Sequence, residues 1–222
     1  MNEVKMQQVI VSGLGGQGVL FVSRLLAETA LDMGYSALLS ETHGMAQRGG
    51  NVISHLKIWR PEPGGPAGST GGKGAKPACP CEAGAGGSRE AGKTVGLPTV
   101  RLGFTSPLVR PGMADILFSL HPDAFLVHGF YLKPGGRAFR NTPKPDDRYS
   151  LDATGVALKL GSAVSANLVL LGFAAGSGDL FCGSEEIEAT IGRLAGKRLE
   201  ASLRAWRAGL NEWAATGGRA GR

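Results

Sequence analysis

The chain has little that would support a disulfide framework, a membrane span or a secretory leader. Its 222 residues contain only three cysteines, too few for a disulfide scaffold, so a reducing, cytoplasmic location is expected. No run reaches the about 18 unbroken apolar residues that a spanning helix needs, because polar residues and glycine interrupt the longest apolar region, 163–175. The first five residues do not form a basic leader followed by an apolar run, so a secretory signal is not expected.

Aromatic residues are also scarce, at 6%, so the core must be built from aliphatic side chains. Glycine, by contrast, is abundant, with 36 residues. The net charge is +6, and seven of the basic residues lie from Arg193 onward. This surplus predicts a solvated helix face or, alternatively, a docking face for an acidic partner. No aromatic-interleaved basic stripe indicates nucleic-acid binding.

The first 41 residues predict a strand, a glycine turn, a helix and a second strand. Residues 8–12 form a short apolar run, typical of a buried parallel strand. Residues 19–33 have apolar side chains at helical spacing, and Gly34 stands at the expected C-cap. Residues 35–41 are predicted to form the second strand. Such an order is by default a right-handed βαβ unit.

Later segments predict further elements of the same α/β fold. Residues 51–59 alternate in polarity, which favours a third strand with one solvated side. Residues 133–136 are predicted to be a turn. The remaining predicted elements are strands at 114–120 and 137–141, helices at 122–132 and 156–175, and a last long helix capped by Ser184.

Residues 61–98 differ in composition from the rest of the chain. They contain 11 glycines and 6 prolines, and their only large aliphatic residues are Val95 and Leu97. Such a segment buries too little apolar area to offset the entropy of ordering. It is therefore predicted to be a flexible, disordered Gly/Pro-rich insertion in a single domain formed by residues 1–60 and 99–216, with 217–222 as a tail.

The turn after the first strand, Gly13-Leu14-Gly15-Gly16-Gln17-Gly18, fits the pattern G-x-G-x-x-G in its required strand-to-helix context. Glycines let the backbone approach a phosphate, and a helix N-terminus offers free N–H groups. Glu41, 23 residues after Gly18, stands near where a ribose-binding acid is expected. A dinucleotide site is one interpretation; the other is that glycine only permits close packing of helix against strand.

A second loop, residues 42–50, follows the second strand and is rich in groups that recognise anions or carbonyls. Because it follows the carboxyl end of that strand, we expect it beside the glycine turn, where open α/β sheets bind ligands. Arg48 offers a planar fork of donors for a carboxylate or phosphate. The candidate lining residues of this sheet edge are Gly13, Gly15, Gly16, Gln17, Gly18, Glu41, His43, Gly44, Gln47, Arg48, Gly49 and Gly50.

Together, residues 13–19 (GLGGQGV) and 41–55 (ETHGMAQRGGNVISH) resemble the gamma-type subunit of 2-oxoacid:ferredoxin oxidoreductases, and the indolepyruvate type in particular. The resemblance continues in 105–108, 112–117, 165–172 and the final helix, but not in 61–98. It implies a Rossmann-like domain, with a mostly parallel sheet flanked by helices, of the pyruvate/ketoisovalerate oxidoreductase gamma type.

The resemblance also implies a reaction and its partners. Family enzymes decarboxylate a 2-oxo acid on thiamine diphosphate, pass electrons through iron–sulfur clusters to ferredoxin, and release an acyl-CoA. A large catalytic subunit is expected to carry thiamine diphosphate, Mg and the 4Fe-4S clusters, with CoA as co-substrate. This chain is then expected to hold none of these cofactors alone and to be inactive alone, with no nucleic-acid or membrane partner.

The chain itself lacks the motifs that would hold these cofactors. It has no Gly-Asp-Gly followed by Asn-Asn for a magnesium pyrophosphate. Cys79, Cys81 and Cys182 fall short of the four cysteines of a cluster and are predicted to be incidental thiols. Asn167 is predicted to satisfy a buried backbone group, with an interface contact as the alternative. The histidines without metal-ligand spacing, predicted to be ordinary, are His55, His121 and His128.

We expect the lining residues to face the partner's active site or the CoA channel, with Arg48 holding a phosphate or carboxylate. The alternative is that they only stabilise the joint between subunits. Glu41 is expected to pair with Arg48 or with backbone N–H groups rather than with a ribose. Two rival functions are a stand-alone NAD(P)- or FAD-binding protein and a non-catalytic scaffold subunit.

Overall fold

A computed structural model describes residues 6–41, 50–60 and 106–216 of the chain. Within these ranges the strands are β1 Met6–Leu14, β2 Ser36–Glu41, β3 Asn51–Trp59, β4 Ala114–Ser119, β5 Leu132–Asn141 and β6 Ser150–Leu151. The helices are α1 Val19–Asp32, α2 Pro122–His128, α3 Ala153–Lys159, α4 Ala166–Gly176, α5 Ser184–Leu194 and α6 Leu199–Thr216. The predicted flexible insertion at 61–98 and the tail at 217–222 lie outside the described residues.

The six strands form one mixed sheet in the order β2-β3-β1-β4-β5-β6. Strands β1, β4, β5 and β6 pair in parallel, whereas β3 is antiparallel to both β1 and β2. The predicted α/β fold with a mostly parallel sheet is therefore confirmed. The βαβ unit has a feature that the local pattern does not indicate: β1 and β2 run in the same direction but are separated by β3.

Strand β3 is buried on both faces, so the predicted solvated side is wrong. Leu56 faces the main core, and His55 and Lys57, on the other face, are only 4% and 6% exposed. The polar side chains are accommodated because the segment before β4 covers them: Lys57 Nζ donates to Ser106 O at 3.0 Å, and Val109 N donates to His55 Nδ1 at 3.3 Å.

The two faces of the sheet are covered unequally. On one face α1 and α4 lie against the sheet, and α3, α5 and α6 pack around them to enclose the main core. On the other face α2 and the 3₁₀ turn Gly129–Tyr131 cover a small cluster that includes Ile10 and Leu117. No helix within 6–41, 50–60 and 106–216 is long and apolar enough to cross a membrane.

Two predicted long helices are each broken into two by a glycine with positive φ. The helix predicted at 156–175 is α3 and α4, because Gly161 (φ +82°) ends α3 and Ser162 N donates back to Ala157 O. The predicted last helix is α5 and α6, separated at Gly196 (φ +50°). The N-cap of α5 is Gly183, so the prediction that Ser184 caps the helix is wrong.

The turn predicted at 133–136 lies inside β5 as an irregularity of the strand. Ala114 pairs with Leu132, and Ile116 with Arg137, so the pairing register shifts between them. Gly135 has φ +76°, a conformation that glycine adopts without strain. The predicted turn residues are therefore present, but β5 pairs with β4 both before and after them.

Glycine brings the backbones of α4 and α6 into close contact, and this packing gives a first prediction. A Cβ at Gly172 would lie 2.1 Å from Trp206 O, and one at Gly209 2.0 Å from Val169 O. Since backbone atoms cannot rotate away, Gly172→Ala is expected to lower the free energy of unfolding by about 3 kcal/mol in urea denaturation. The matched control is Gly192→Ala on α5, where an added Cβ would meet no atom of a neighbouring element within 4 Å. It is expected to raise stability by up to about 1 kcal/mol, and equal losses in both variants would contradict the close packing of α4 on α6.

Candidate functional site

The glycine turn lies between the end of β1 at Leu14 and the start of α1 at Val19. Gly16 and Gly18 have φ of +89° and +80°, which only glycine adopts at little cost. The side chain of Gln17 closes the turn, because its Oε1 accepts a hydrogen bond from Leu14 N at 2.8 Å. Gln17 therefore shapes the turn itself, a role that its sequence position alone does not indicate.

The end of the second loop lies directly against this turn. Gly15 N donates to Gly50 O at 3.2 Å, and the next residue, Asn51, pairs with Leu14 across β1 and β3. The loop thus rejoins the sheet at the edge where the glycine turn begins. The other candidate residues of the loop, His43, Gly44, Gln47, Arg48 and Gly49, lie outside the described residues.

Asn51 carries a buried polar atom at this junction. Its Oδ1 is buried and has no hydrogen-bond partner in the described part of the chain. Buried polar atoms are normally paired, so an orphaned acceptor needs an explanation. It stands at the head of β3, beside the bonded Gly15 and Gly50.

Asn167, the second residue of α4, connects a distant part of the sequence to the glycine turn. It is 7% exposed, and its Oδ1 accepts from Leu168 N at 2.7 Å, so the predicted role towards a buried backbone group is confirmed. Its amide Nδ2 faces Gly18, where a Cβ would lie 2.2 Å from it. The sequence alone does not predict that Asn167 lies at the glycine turn. The one feature that could have drawn attention to it is an amide side chain at the start of an otherwise apolar segment.

Two clefts flank the N-terminus of α1. One, of about 340 Å³, is mainly apolar and is lined by the turn together with Val19, Leu20, Phe21 and Val52. The other, of about 260 Å³, lies between α1 and α4 and is lined by Gly18, Ser165, Asn167, Arg198 and Ser202 among others. No carboxylate of the described residues lines either cleft. The starts of α1 and α4 and the side chain of Arg198 offer hydrogen-bond donors to this second cleft, alongside apolar side chains and the C-terminal end of α5 at Leu194 and Ala195.

Glu41 does not occupy the position that a ribose-binding acid has in a dinucleotide fold. It pairs with Ser54 of β3, which in turn pairs with Val11 of β1. Two strand spacings, about 10 Å, therefore separate it from β1. In dinucleotide folds the acid-bearing strand is the immediate neighbour of the first strand. The inserted β3 thus removes the geometric basis for the dinucleotide interpretation.

The three histidines predicted to be ordinary each have a polar partner in the structure. His121 caps α2 by accepting from Asp123 N at 3.3 Å, and His55 accepts from Val109 N. The distance between Ser12 Oγ and His128 Nδ1 is 2.6 Å. Within the described residues, no group of three His, Cys, Asp or Glu side chains is arranged to hold a metal ion. Cys182 is buried, which raises the pKa of its thiol, and Cys79 and Cys81 lie outside the described residues.

The buried imidazoles predict a stability that depends on pH. Burial lowers the pKa of both His55 and His128 from the ordinary value of 6.5, and the positive charges of His128 and Lys57 add to the shift at His55. The unfolded chain therefore binds more protons below pH 6.5, so these groups stabilise the fold above that pH and lose this contribution as pH falls through the folded-state pKa values. Thermal melting is expected to show a lower Tm at about pH 5 than at about pH 7.5.

A His55→Gln/His128→Gln variant is the control for this effect, since it removes both titrating groups. Its Tm is expected to change less between the two pH values than that of the unmodified chain. An identical pH dependence in both proteins would contradict the assignment to these histidines.

Comparison with known proteins agrees with this architecture. The model of the pyruvate ferredoxin/flavodoxin oxidoreductase family matches residues 8–69 and 87–212. The indolepyruvate oxidoreductase subunit IorB of Archaeoglobus fulgidus is 29% identical over 231 residues, covering 92% of this chain and 94% of the relative.

Two solved structures have the same fold. The gamma subunit of a keto/oxoacid ferredoxin oxidoreductase from Geobacter sulfurreducens aligns with a TM-score of 0.61 at 20% identity, covering 94% of this chain and 99% of that one. The 2-oxoglutarate:ferredoxin oxidoreductase of Magnetococcus marinus, solved with 2-oxoglutarate, coenzyme A and succinyl-CoA bound, aligns at 0.64 and 16% identity. That match covers 96% of this chain and 32% of the other, so it corresponds to about a third of the longer chain.

Proposed function

The chain belongs to the pyruvate ferredoxin/flavodoxin oxidoreductase family, and on that premise we propose that it is the small, gamma-type subunit of an indolepyruvate-type 2-oxoacid:ferredoxin oxidoreductase. The indolepyruvate oxidoreductase subunit IorB of Archaeoglobus fulgidus matches nearly the whole length of both chains. The substrate class proposed is therefore an aryl pyruvate, converted to its acyl-CoA with ferredoxin as electron acceptor.

The observation that carries the proposal is the junction of the glycine turn with the second loop. The hydrogen bond from Gly15 N to Gly50 O joins the two motifs at the carboxyl end of β1. A chain that bound its own dinucleotide would instead need an acid beside β1, and Glu41 is two strands away. The junction fits a surface presented to a ligand or active site held by another subunit.

The cofactors of the reaction are assigned to a large catalytic subunit. Thiamine diphosphate with Mg²⁺ supplies the decarboxylation chemistry there, and 4Fe-4S clusters carry the electrons to ferredoxin. The described residues of this chain do not fit these groups, since no cluster of carboxylate, imidazole or thiolate ligands occurs among them. No step of the reaction is therefore assigned to a cofactor on this chain.

This chain's own contribution is to bind and orient. Backbone N–H groups at the start of α1, the amide of Asn167 and the guanidinium of Arg198 offer donors for a phosphate or carboxylate at the cleft between α1 and α4. Arg48, two residues before Gly50 in the sequence, is assigned to hold such an anion through its planar guanidinium. His43 and Gln47 are assigned to donate or accept hydrogen bonds at the same edge.

Co-expression with a candidate large subunit tests the proposal. We expect a brown complex that reduces a viologen dye when given CoA and an aryl pyruvate, whereas neither subunit alone does so. A purified chain that binds NAD(P) or FAD with micromolar affinity, weakened by Glu41→Ala, would instead establish the dinucleotide function. Full turnover by the large subunit in the absence of this chain would contradict a role in the reaction.

A further inference from the structure

The cleft between α1 and α4 is lined by two polar side chains that are buried but unpaired. Asn167 is 7% exposed and Ser202 is 8% exposed, and both line this cleft. The Oδ1 atom of Asn167 accepts from Leu168 N, but its Nδ2 has no hydrogen-bond acceptor among the described residues. Within the same ranges no hydrogen bond joins Ser202 Oγ to the protein. Because buried polar groups normally have a partner, the two side chains indicate a ligand in the cleft.

Arg198 adds a positive charge beside them that the fold does not neutralise. On the neighbouring helices Arg193 pairs with Asp32, and Arg207 pairs with Glu188. In the part of the chain that the structure describes, no carboxylate forms an ion pair with Arg198. A guanidinium has donors only, and it binds a carboxylate through two parallel hydrogen bonds. The free guanidinium therefore favours an anionic ligand.

The rest of the polar lining fixes where the anionic end of the ligand lies. The starts of α1 and α4 contribute backbone N–H groups, and no Asp or Glu of the described residues lines the cleft. Carbonyl groups at the end of α5 disfavour an anion on that side, although Ala195 O already accepts from Arg198 N at 3.0 Å. The anionic group is therefore placed between Asn167 and Arg198, away from Leu194.

The walls and the size of the cleft define the remainder of the ligand. Phe21 and Leu168 form apolar walls, and Val164 and Leu194 are apolar lining residues that are 65% and 38% exposed. An inorganic anion would leave these side chains uncovered. The volume of about 260 Å³ is slightly below the about 300 Å³ at which small-molecule pockets begin. It suits a small acid with one apolar side chain and excludes a nucleotide or coenzyme A.

The carboxylates of this chain that lie outside the described ranges do not fit the cleft in this way. Residues 42–49, which rejoin the sheet beside the glycine turn, contain no Asp or Glu. Glu3 precedes the amino end of β1, whereas Gly18 follows its carboxyl end, about 30 Å away. The acids of 61–98 have no large aliphatic or aromatic neighbour in sequence to cover the apolar walls; they are Glu62, Glu82 and Glu90.

We propose that this cleft binds a small monocarboxylic acid with an apolar side chain. Arg198 and the Nδ2 of Asn167 hold the carboxylate, and the side chain of the acid packs against Phe21 and Leu168. The ligand class is inferred from the cleft; its identification with an aryl pyruvate rests on the proposed function. Under that function, the small subunit itself takes part in recognising the 2-oxo acid.

Calorimetric titration of the free, full-length chain with four probes tests the ligand class. Phenylpyruvate and phenylacetate are expected to bind with one site per chain. Phenylacetamide lacks the charge and inorganic phosphate lacks the apolar side chain, so both are expected to bind at least about 10-fold more weakly. Equal binding of phenylacetamide or of phosphate would overturn the proposed class, and so would a chain that binds neither acid.

Two variants and a matched control test the placement of the carboxylate. Asn167→Asp keeps the acceptor for Leu168 N but replaces the Nδ2 donor with an oxygen, so phenylacetate is expected to bind about 30-fold more weakly. Arg198→Gln alters an exposed side chain and is expected to weaken binding about 10-fold. Arg204→Gln, at an exposed arginine that does not line the cleft, is expected to change it less than about twofold. Thermal melting checks that each variant is folded.

Each outcome decides a separate point. If Asn167→Asp does not fold, the comparison of Arg198→Gln with Arg204→Gln is sufficient, and equal affinities in those two variants would show that the site is wrong. If the co-expressed complex turns over an aryl pyruvate while the free chain binds no acid, the inference fails and the proposed function stands. If the free chain binds the acids but no complex with a large subunit has activity, the proposed function fails while the ligand class of the cleft stands.

Discussion

Arg48→Ala is expected to leave the complex with the large subunit assembled while lowering its kcat/KM about 100-fold, equivalent to about 2.7 kcal/mol of transition-state stabilisation. The reason is that an arginine fork holding a phosphate or carboxylate in a site enclosed by two proteins makes charge-assisted hydrogen bonds. Removing it leaves the anion unpaired, which typically costs about 2–5 kcal/mol. Viologen reduction by the purified complex, with CoA and the 2-oxo acid varied in turn, measures the loss.

The two substrates separate the possible ligands of Arg48. A raised KM for CoA assigns the guanidinium to a CoA phosphate, and a raised KM for the 2-oxo acid assigns it to the substrate carboxylate. Arg204→Ala is the matched control, because Arg204 is an exposed arginine on α6 that lines neither of the clefts beside the glycine turn. A complex that fails to form with Arg48→Ala, or one that turns over at the normal rate, would support the scaffold function instead.

The sequence is most informative where a short-range pattern decides the structure. The third strand, predicted at 51–59, is Asn51–Trp59 in the structure, and the first helix ends within one residue of its predicted end. In both segments the periodicity of apolar residues and the flanking glycines agree. The association of the glycine turn with the end of the second loop also follows from local order, because parallel strands end at one edge of a sheet.

Features that depend on tertiary structure are not predictable in this way. Nothing in 51–59 indicates that β3 enters between β1 and β2, because strand order is set by long-range pairing rather than by propensity. The burial of Lys57 likewise depends on the carbonyl of Ser106, 49 residues away. Gly161 and Gly196 do not stand out as helix ends, because a glycine within an apolar or charged helical pattern is locally tolerated.

Asn167 shows why the sequence alone can fail to predict a residue that lies beside the candidate site. Its neighbours in sequence are apolar, and a lone amide in such a segment ordinarily satisfies the backbone, as its bond with Leu168 N does. Only the tertiary contact between α4 and the start of α1 places its Nδ2 against Gly18. The candidate site therefore includes a residue 149 positions beyond the glycine motif.

Gly18→Ala is expected to lower the free energy of unfolding by about 3–4 kcal/mol, the largest effect on stability that we expect from a single methyl group at this site. Two costs add. The φ of +80° strains any residue with a Cβ, and the new methyl would lie 2.2 Å from Asn167 Nδ2, so the buried Asn167 side chain must shift. Because this residue lines the cleft between α1 and α4, turnover of the complex is expected to fall as well. Urea denaturation of the free chain and viologen reduction by the complex measure the two losses.

Gly16→Ala measures the cost of backbone strain without a steric clash. Gly16 has φ +89°, but a Cβ added there would meet no atom within 4 Å. It is expected to cost about 1–2 kcal/mol, from backbone strain alone. The contact itself is measured by a double-mutant cycle with Asn167→Ala, which removes the amide that the new methyl at position 18 meets. The combined variant is expected to be more stable than the sum of the single losses predicts, by about 1 kcal/mol or more. Strict additivity would show that Asn167 does not contact the new methyl at position 18, and the placement of Asn167 against the glycine turn would then be wrong.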